Sequence, residues 1–152
     1  MEILSFIILR IVLAWMFLYP LKGLLKDWNG TVGLAGLVSS FAAKYLAILM
    51  ILAMFIGAVS ILFGIYAQAG AAMLLIYTLI GIKVHYKLSQ KIASLNLNTV
   101  ACKEDCNILA ETKQLGIVGH ITSAQKNVVI AGALFFITLM GSGPYSITNN
   151  LF

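Results

Sequence analysis

The chain has 152 residues, of which 61% are hydrophobic and 10% charged, and its mean hydropathy is +1.00. Soluble domains average about 45–50% apolar and about 25% charged residues, so this composition excludes an ordinary water-soluble fold. The formal net charge of +5 would suggest nucleic acid in a soluble protein. In a membrane protein it is an orientation signal instead, and we expect no nucleic-acid partner.

The first predicted span covers residues 3–21 and is interrupted by a single charge, Arg10. A stretch of about 20 apolar residues matches the hydrocarbon thickness of a bilayer. Pro20 and Lys22 mark its end, because proline cannot continue a helix. A cleaved signal peptide is the competing interpretation, since an 11-residue run without charge follows Arg10. Residues 1–10 are unusually apolar for the basic segment of such a peptide, which favours a span.

Two further spans are predicted within the 38 residues between Lys44 and Lys83, which include no Asp, Glu, Lys or Arg. A single helix of that length would be about 57 Å long, whereas the hydrocarbon core is only about 30 Å thick. The run must therefore fold back on itself. We predict spans at 45–64 and 67–82, with the turn at the small or polar cluster Gly64, Gln68 and Gly70.

Small residues recur along the second span at spacings of three and four: Ala53, Gly57, Ser60 and Gly64. In lipid, helices associate where small side chains let two backbones approach closely. We therefore expect this stripe to form a helix contact, with Gly132 in the same role on the fourth span.

The segment 83–126 is predicted to be an inserted loop that is partly amphipathic helix, because apolar residues are scattered through a polar sequence. Gly116 and Gly119 are expected to interrupt it. The fourth span is predicted at 127–141 and closes at residues 141–144, where two glycines and a proline end the helix. The expected fold is therefore a single all-α domain, an integral membrane four-helix bundle.

The lysines give the orientation of this bundle. With four spans, all nine fall on one face: Lys22, Lys26, Lys44, Lys83, Lys87, Lys91, Lys103, Lys113 and Lys126. Loops on the cytoplasmic side are enriched in Lys and Arg. We therefore predict a multi-pass protein of the plasma membrane with cytoplasmic lysine-rich loops and both termini outside.

Arg10 and His85 are the polar residues most open to a functional interpretation. Arg10 either extends to the outer headgroups or to Glu2, or faces the bundle and holds an anion or the carbonyl of a quinone. His85, just past the third span, either relays a proton, contacts a quinone headgroup, or is a hydrated interfacial residue. The chain has no arrangement of residues typical of hydrolases or kinases.

Cys102 and Cys106 form a C-x-x-x-C pair in the polar segment before the fourth span. A separation of four residues suits a disulfide within a regular helix poorly and matches no strong zinc motif. Three interpretations remain open: incidental thiols, a redox-active pair, and a metal contact shared with His120 or nearby acids.

Two segments carry a resemblance to a known family. The sequence Gly-Ser-Gly-Pro-Tyr-Ser-Ile-Thr at 141–148 closely resembles the Gly-Pro-Gly-Arg-Tyr-Ser-Leu-Asp-like ending of DoxX family membrane proteins. The sequence Arg-Ile-Val-Leu-Ala-Trp-Met-Phe at 10–17 is similar to the family pattern of the first helix. His85 occupies the place of a family histidine.

This resemblance implies a four-helix membrane protein and a role in redox chemistry. The family takes its name from a subunit of thiosulfate:quinone oxidoreductase, in which electrons from a sulfur compound pass to a membrane quinone. The chain thus resembles a small quinone-associated or partner-binding subunit. Thr148 stands where the family ending has Asp, so the chemistry is expected to need a partner that carries a metal or flavin.

In this interpretation Arg10 is the buried cation of the bundle, and Gly141 and Gly143 let the chain close over it. The residues predicted to contact quinone are Arg10, His85, Tyr145 and Ser146. The expected partners are the lipid bilayer, a redox enzyme and a second copy of the chain. The alternatives are a small permease or channel in which Arg10 lines an anion path, and a scaffold that acts through segment 83–126.

Overall fold

The computed structural model describes residues 2–96, 103–141, 143 and 146–148. These residues form six α-helices and no strand: α1 (Glu2–Leu18), α2 (Leu21–Lys26), α3 (Trp28–Gly36), α4 (Ala43–Phe63), α5 (Ala67–Ala93) and α6 (Lys103–Met140). Four segments are long and apolar enough to cross a membrane: Leu4–Lys26, Ala43–Phe63, Ala67–Ala93 and Cys106–Met140. The predicted all-α membrane bundle with four spans is confirmed.

Two short helices, α2 and α3, follow α1. The helix α1 ends at Leu18, two residues before Pro20, and α2 lies within the same candidate span as α1. Asp27 separates the two helices, and its Oδ1 atom accepts a hydrogen bond of 3.0 Å from the backbone N–H of Gly30. The buried hydroxyl of Thr31 donates to the carbonyls of Leu24 and Asp27, at 2.7 and 2.9 Å. These bonds hold α2 and α3 together.

Helices α4 and α5 approach closely at small residues. A Cβ atom added at Gly57 would lie 2.6 Å from Cγ of Leu74 and 3.1 Å from the carbonyl oxygen of Gly70. A Cβ atom added at Gly70 would overlap the Ser60 side chain. Gly57 and Ser60, two members of the stripe predicted on α4, therefore lie at a helix contact. The corresponding prediction for Gly132 is wrong, because a Cβ atom added there meets nothing within 4 Å in the described structure.

Helices α5 and α6 are much longer than the predicted third and fourth spans, with 27 and 38 residues. Most of segment 83–126 is therefore helix, and α6 passes through Gly116 and Gly119 without a break. The prediction that these glycines interrupt it is wrong, since Gly116 packs against α5: a Cβ atom added there would lie 3.2 Å from Cδ1 of Ile92. Lys113 Nζ donates to the carbonyl of Leu95 at 2.9 Å, just beyond the end of α5.

The core lies between all four spans. It contains Leu13, Ala14 and Phe17 of α1, Met54, Ala58 and Ile61 of α4, Ala67, Ala71 and Leu74 of α5, and Leu134 and Ile137 of α6. Large apolar side chains such as Phe55, Ile76 and Leu139 are half or more exposed on the outside of the same helices. Such a surface is stable only when lipid rather than water surrounds it.

Candidate functional site

Polar groups gather at two ends of the bundle. We call the end with the α4–α5 turn (residues 64–66) the turn end, and the end with His85, Lys87 and Lys126 the lysine end. Residues predicted to be functional lie at both ends: Ser146 lies at the turn end and His85 at the lysine end.

At the turn end, the segment after α6 is hydrogen-bonded to the α4–α5 turn. The Ser146 hydroxyl donates to the carbonyl of Gly64, and the Thr148 hydroxyl donates to the same oxygen at 3.0 Å. The backbone N–H of Tyr66 donates to Oγ1 of Thr148 at 2.8 Å. Gly64 has a φ of 68°, a left-handed conformation in which glycine has no steric penalty, and a Cβ atom there would lie 2.7 Å from Oγ of Ser146.

The same segment crosses the first helix. Gly141 and Gly143 both have a φ of 75°, and a Cβ atom at Gly143 would overlap the ring of Phe6. Phe6 lies one helical turn before Arg10 on α1. Tyr145, also predicted here, lies outside the described residues.

Arg10 is buried, with 5% of its surface exposed. It lies on the face of α1 that also carries Leu13, Ala14 and Phe17, all of which belong to the core. This burial favours the interpretation in which the guanidinium faces the bundle over the one in which it extends to the headgroups. A buried cation requires compensating hydrogen bonds or charges.

Toward the lysine end, the helices enclose a partly open cavity of about 650 Å³. Its walls come from α1 to α6, and most of its lining is apolar, including Phe17, Leu34, Met50, Met54, Ile80 and Ile130. Four of the lining residues are polar: Tyr77, Thr78, His85 and Asn127. Pockets that hold small ligands are typically about 300–1,000 Å³, mostly apolar, with a few placed polar groups. This cavity has those properties.

His85 is paired with His120 at one side of the cavity. The two Nδ1 atoms are 3.1 Å apart, and the ring centroids are 5.4 Å apart with the planes inclined by 37°. Both side chains are half-buried. A hydrogen bond between two imidazole Nδ1 atoms requires a proton on one of them and a lone pair on the other. The geometry therefore links the tautomers of the two rings.

His120 and Asn127 were not predicted to share a site with His85. They lie seven residues apart on α6 and so on nearly the same helical face. Asn127 also faces α5: its Nδ2 atom would lie 3.1 Å from a Cβ atom added at Gly81. Their spacing is a signal that could have identified them, but only if residues 117–127 had been recognised as continuous helix.

The structure does not bring Arg10 and His85, both predicted to contact quinone, together. Phe17 packs against Tyr77 with 6.1 Å between ring centroids. Arg10 precedes Phe17 by seven residues and His85 follows Tyr77 by eight, so Arg10 and His85 are about 20 Å apart along the bundle at about 1.5 Å per residue. A single headgroup cannot contact both.

The cysteine pair is only partly described. Cys102 lies outside the described residues, and Cys106 is half-buried near the start of α6. Cys106 and His120 belong to the same helix and are about 21 Å apart along its axis. The interpretation in which they share a metal is therefore wrong. Within the described part of the chain, no group of three or more His, Cys, Asp or Glu residues could hold a metal ion.

Comparison with known proteins gives one match. Residues 5–86 match the sequence model of the DoxX family. The matched region includes Arg10, Gly57, Gly64 and His85, whereas His120 and the segment after α6 lie outside it. No curated protein and no solved structure shows significant similarity to the chain.

Proposed function

We propose a function on the premise that this chain belongs to the DoxX family, whose model matches more than half of it. Family membership and the four spans establish a small multi-pass membrane protein. We infer that it acts as a quinone-associated, partner-binding membrane subunit of a redox complex. The cavity near His85 is the observation that carries this proposal.

The cavity suits a molecule with an apolar tail and a compact polar head. Its volume of about 650 Å³ and its mostly apolar walls would accept part of an isoprenoid chain and a quinone ring. A quinone ring has carbonyl oxygens that need hydrogen-bond donors. The imidazole of His85 and the amide of Asn127 are donors at the lysine end, while the Thr78 hydroxyl already donates to the Leu74 carbonyl at 2.7 Å. These residues therefore fit a quinone.

The residues at the turn end would then have a separate role. We propose that Arg10, together with Ser146 and Thr148, holds the segment after α6 against the bundle rather than binding the headgroup that His85 contacts. The burial of Arg10 and the hydrogen bonds from Ser146 and Thr148 to Gly64 support this division.

A quinone-binding measurement tests the proposal. Purified protein in lipid nanodiscs should bind a decyl-tailed benzoquinone, followed by fluorescence quenching. Ala53 lines the cavity, and Ala53→Phe should weaken binding by about tenfold or more, because the added ring occupies ligand space. The matched control is Leu52→Phe, since Leu52 is 48% exposed on the outside of α4. Equal binding by both variants, or no binding by the wild type, would contradict the proposal.

The electrons would have to come from a partner with a flavin or metal, and α6 offers a surface for one. At about 1.5 Å per residue this helix is about 57 Å long, about 27 Å more than the hydrocarbon core. Ile108, Leu115 and Val118 are 59%, 74% and 54% exposed on the part of α6 that precedes the predicted span 127–141. Exposed apolar clusters of this kind commonly mark protein contacts. The positive-inside rule favours a lysine end on the cytoplasmic side of the plasma membrane. A partner that docks there would be cytoplasmic.

Affinity purification in mild detergent tests this part of the proposal. Leu115→Glu should abolish co-purification of a flavin- or metal-containing partner, whereas Gln114→Glu adds the same charge at a neighbouring exposed position and should not. If the Leu115 variant retains the partner while remaining folded, the surface on α6 is not the docking site. If the partner is lost but quinone still binds, the two functions are separable.

A further inference from the structure

The proposed quinone site leaves the contact between His85 and His120 unexplained. His85 lines the cavity, whereas His120 stands behind it on α6 and does not. The Nδ1 of His85 faces the Nδ1 of His120 at 3.1 Å. Nε2 of His85 can then form a hydrogen bond with a molecule in the cavity. Nε2 of His120 can form one with groups or water around α6.

From this geometry we infer that His120 and His85 relay protons from water at the lysine end to the occupant of the cavity. The inference rests on the proposed function, and it names the source of the protons for that same site. Full reduction of a quinone takes up two electrons and two protons. The electrons would come from the partner's reduced flavin or metal, and the relay would supply the protons.

One passage of the relay can be written atom by atom. It begins with a proton on Nε2 of His85 and a proton on Nδ1 of His120. His120 takes a proton from water on its Nε2 and transfers its Nδ1 proton to Nδ1 of His85, and His85 gives its Nε2 proton to an oxygen in the cavity. Both rings end neutral with their protons on the opposite nitrogens. They exchange these protons with water, or rotate, before the second passage.

The surroundings of the pair favour this use. Lys126 lies close enough for its positive charge to act on His85, and like charges disfavour the state in which both rings carry an extra proton. A hydrogen bond between the two Nδ1 atoms also cannot exist in that state, because neither atom would have a lone pair. The pair can therefore carry at most one proton beyond the two of the neutral rings. Of the two histidines, His85 lines the cavity and His120 does not.

The first readout does not depend on turnover. Histidine-selective ¹⁵N spectra of the full-length protein in nanodiscs, assigned with His85→Asn and His120→Asn, report which nitrogen of each ring carries the proton. We expect complementary tautomers in the wild type, one ring protonated at Nδ1 and the other at Nε2. Two independent rings with the same tautomer in the wild type would overturn the relay.

The second readout follows proton transfer itself. A decyl-tailed benzoquinone bound to the protein is reduced by pulse radiolysis, which supplies the electrons, and its protonation is followed by absorbance. His120→Ala should bind this quinone with unchanged affinity and slow its protonation by about 100-fold, the size of effect that general acids usually give. Added imidazole should restore the rate in His120→Ala, which a purely structural role would not allow.

The outcomes separate the two proposals. If the wild type binds no quinone, the proposed function fails and the relay fails with it. If quinone binds and His120→Ala protonates it at the wild-type rate, the relay is wrong and the proposed function stands. If the rate falls and imidazole does not restore it, His120 positions His85 without carrying a proton, and the relay is again wrong.

Discussion

The contact between α4 and α5 allows a stability prediction with a matched control. In Gly57→Ala the new methyl group would lie 2.6 Å from Cγ of Leu74 and 3.1 Å from the Gly70 carbonyl oxygen. One helix must move by about 1 Å to restore ordinary van der Waals distances, and such overpacking costs about 1–3 kcal/mol. Alanine also has a helix propensity better than that of glycine by about 1 kcal/mol. This second effect would hide part of the cost in a single variant.

Gly132→Ala removes that ambiguity, because a Cβ atom at Gly132 meets nothing within 4 Å. Both variants gain the same propensity, so the difference between their unfolding free energies is the cost of overpacking alone. We expect Gly57→Ala to be less stable than Gly132→Ala by about 1–3 kcal/mol, which is about 5- to 150-fold in the unfolding constant.

The assay is unfolding by SDS in mixed micelles, followed by circular dichroism. Measuring the effect of Gly57→Ala again in a Leu74→Ala background adds a check. The clash with the leucine side chain is then absent, so the loss of unfolding free energy caused by Gly57→Ala should be smaller. The reasoning is refuted if Gly57→Ala and Gly132→Ala have equal stability, or if the cost at Gly57 is the same with and without the leucine.

Three further predictions follow from contacts at the two ends. Thr148→Val removes two hydrogen bonds to the α4–α5 turn and should lower the unfolding free energy by about 1–2 kcal/mol; unchanged stability and unchanged amide exchange in the turn would contradict this. Lys87→Met removes the 2.7 Å hydrogen bond to the carbonyl after α3, so hydrogen exchange at the end of α3 should become faster than in the control Lys91→Met. Single cysteines at Gln68 and Ser94, in a cysteine-free background, should react with an impermeant reagent from opposite sides of the membrane. Labelling from the same side would show that α5 does not span the bilayer.

Much of the fold could be predicted because it depends on composition and local breaks. The low charge content requires lipid as the solvent, and the charge-free run before Lys83 is too long for one crossing. Pro20 and Gly64 end helices for reasons internal to their own residues. These features are sufficient to predict four spans and a lysine-rich side, because none of them depends on how the helices pack.

Much of the candidate site could not be predicted in this way, since it depends on which helices meet. Gly116 appeared to be a break, but contact with Ile92 on α5 makes it a packing position, and α6 continues through it. That continuity places His120 against His85, although the two are 35 positions apart in the chain. The sequence by itself determined the solvent of this protein and its number of crossings, because both depend on the hydrophobicity of each segment. Only the tertiary structure decided which polar groups share a cavity and which lie about 20 Å apart, because helix packing in lipid depends on the close fit of side chains from different segments.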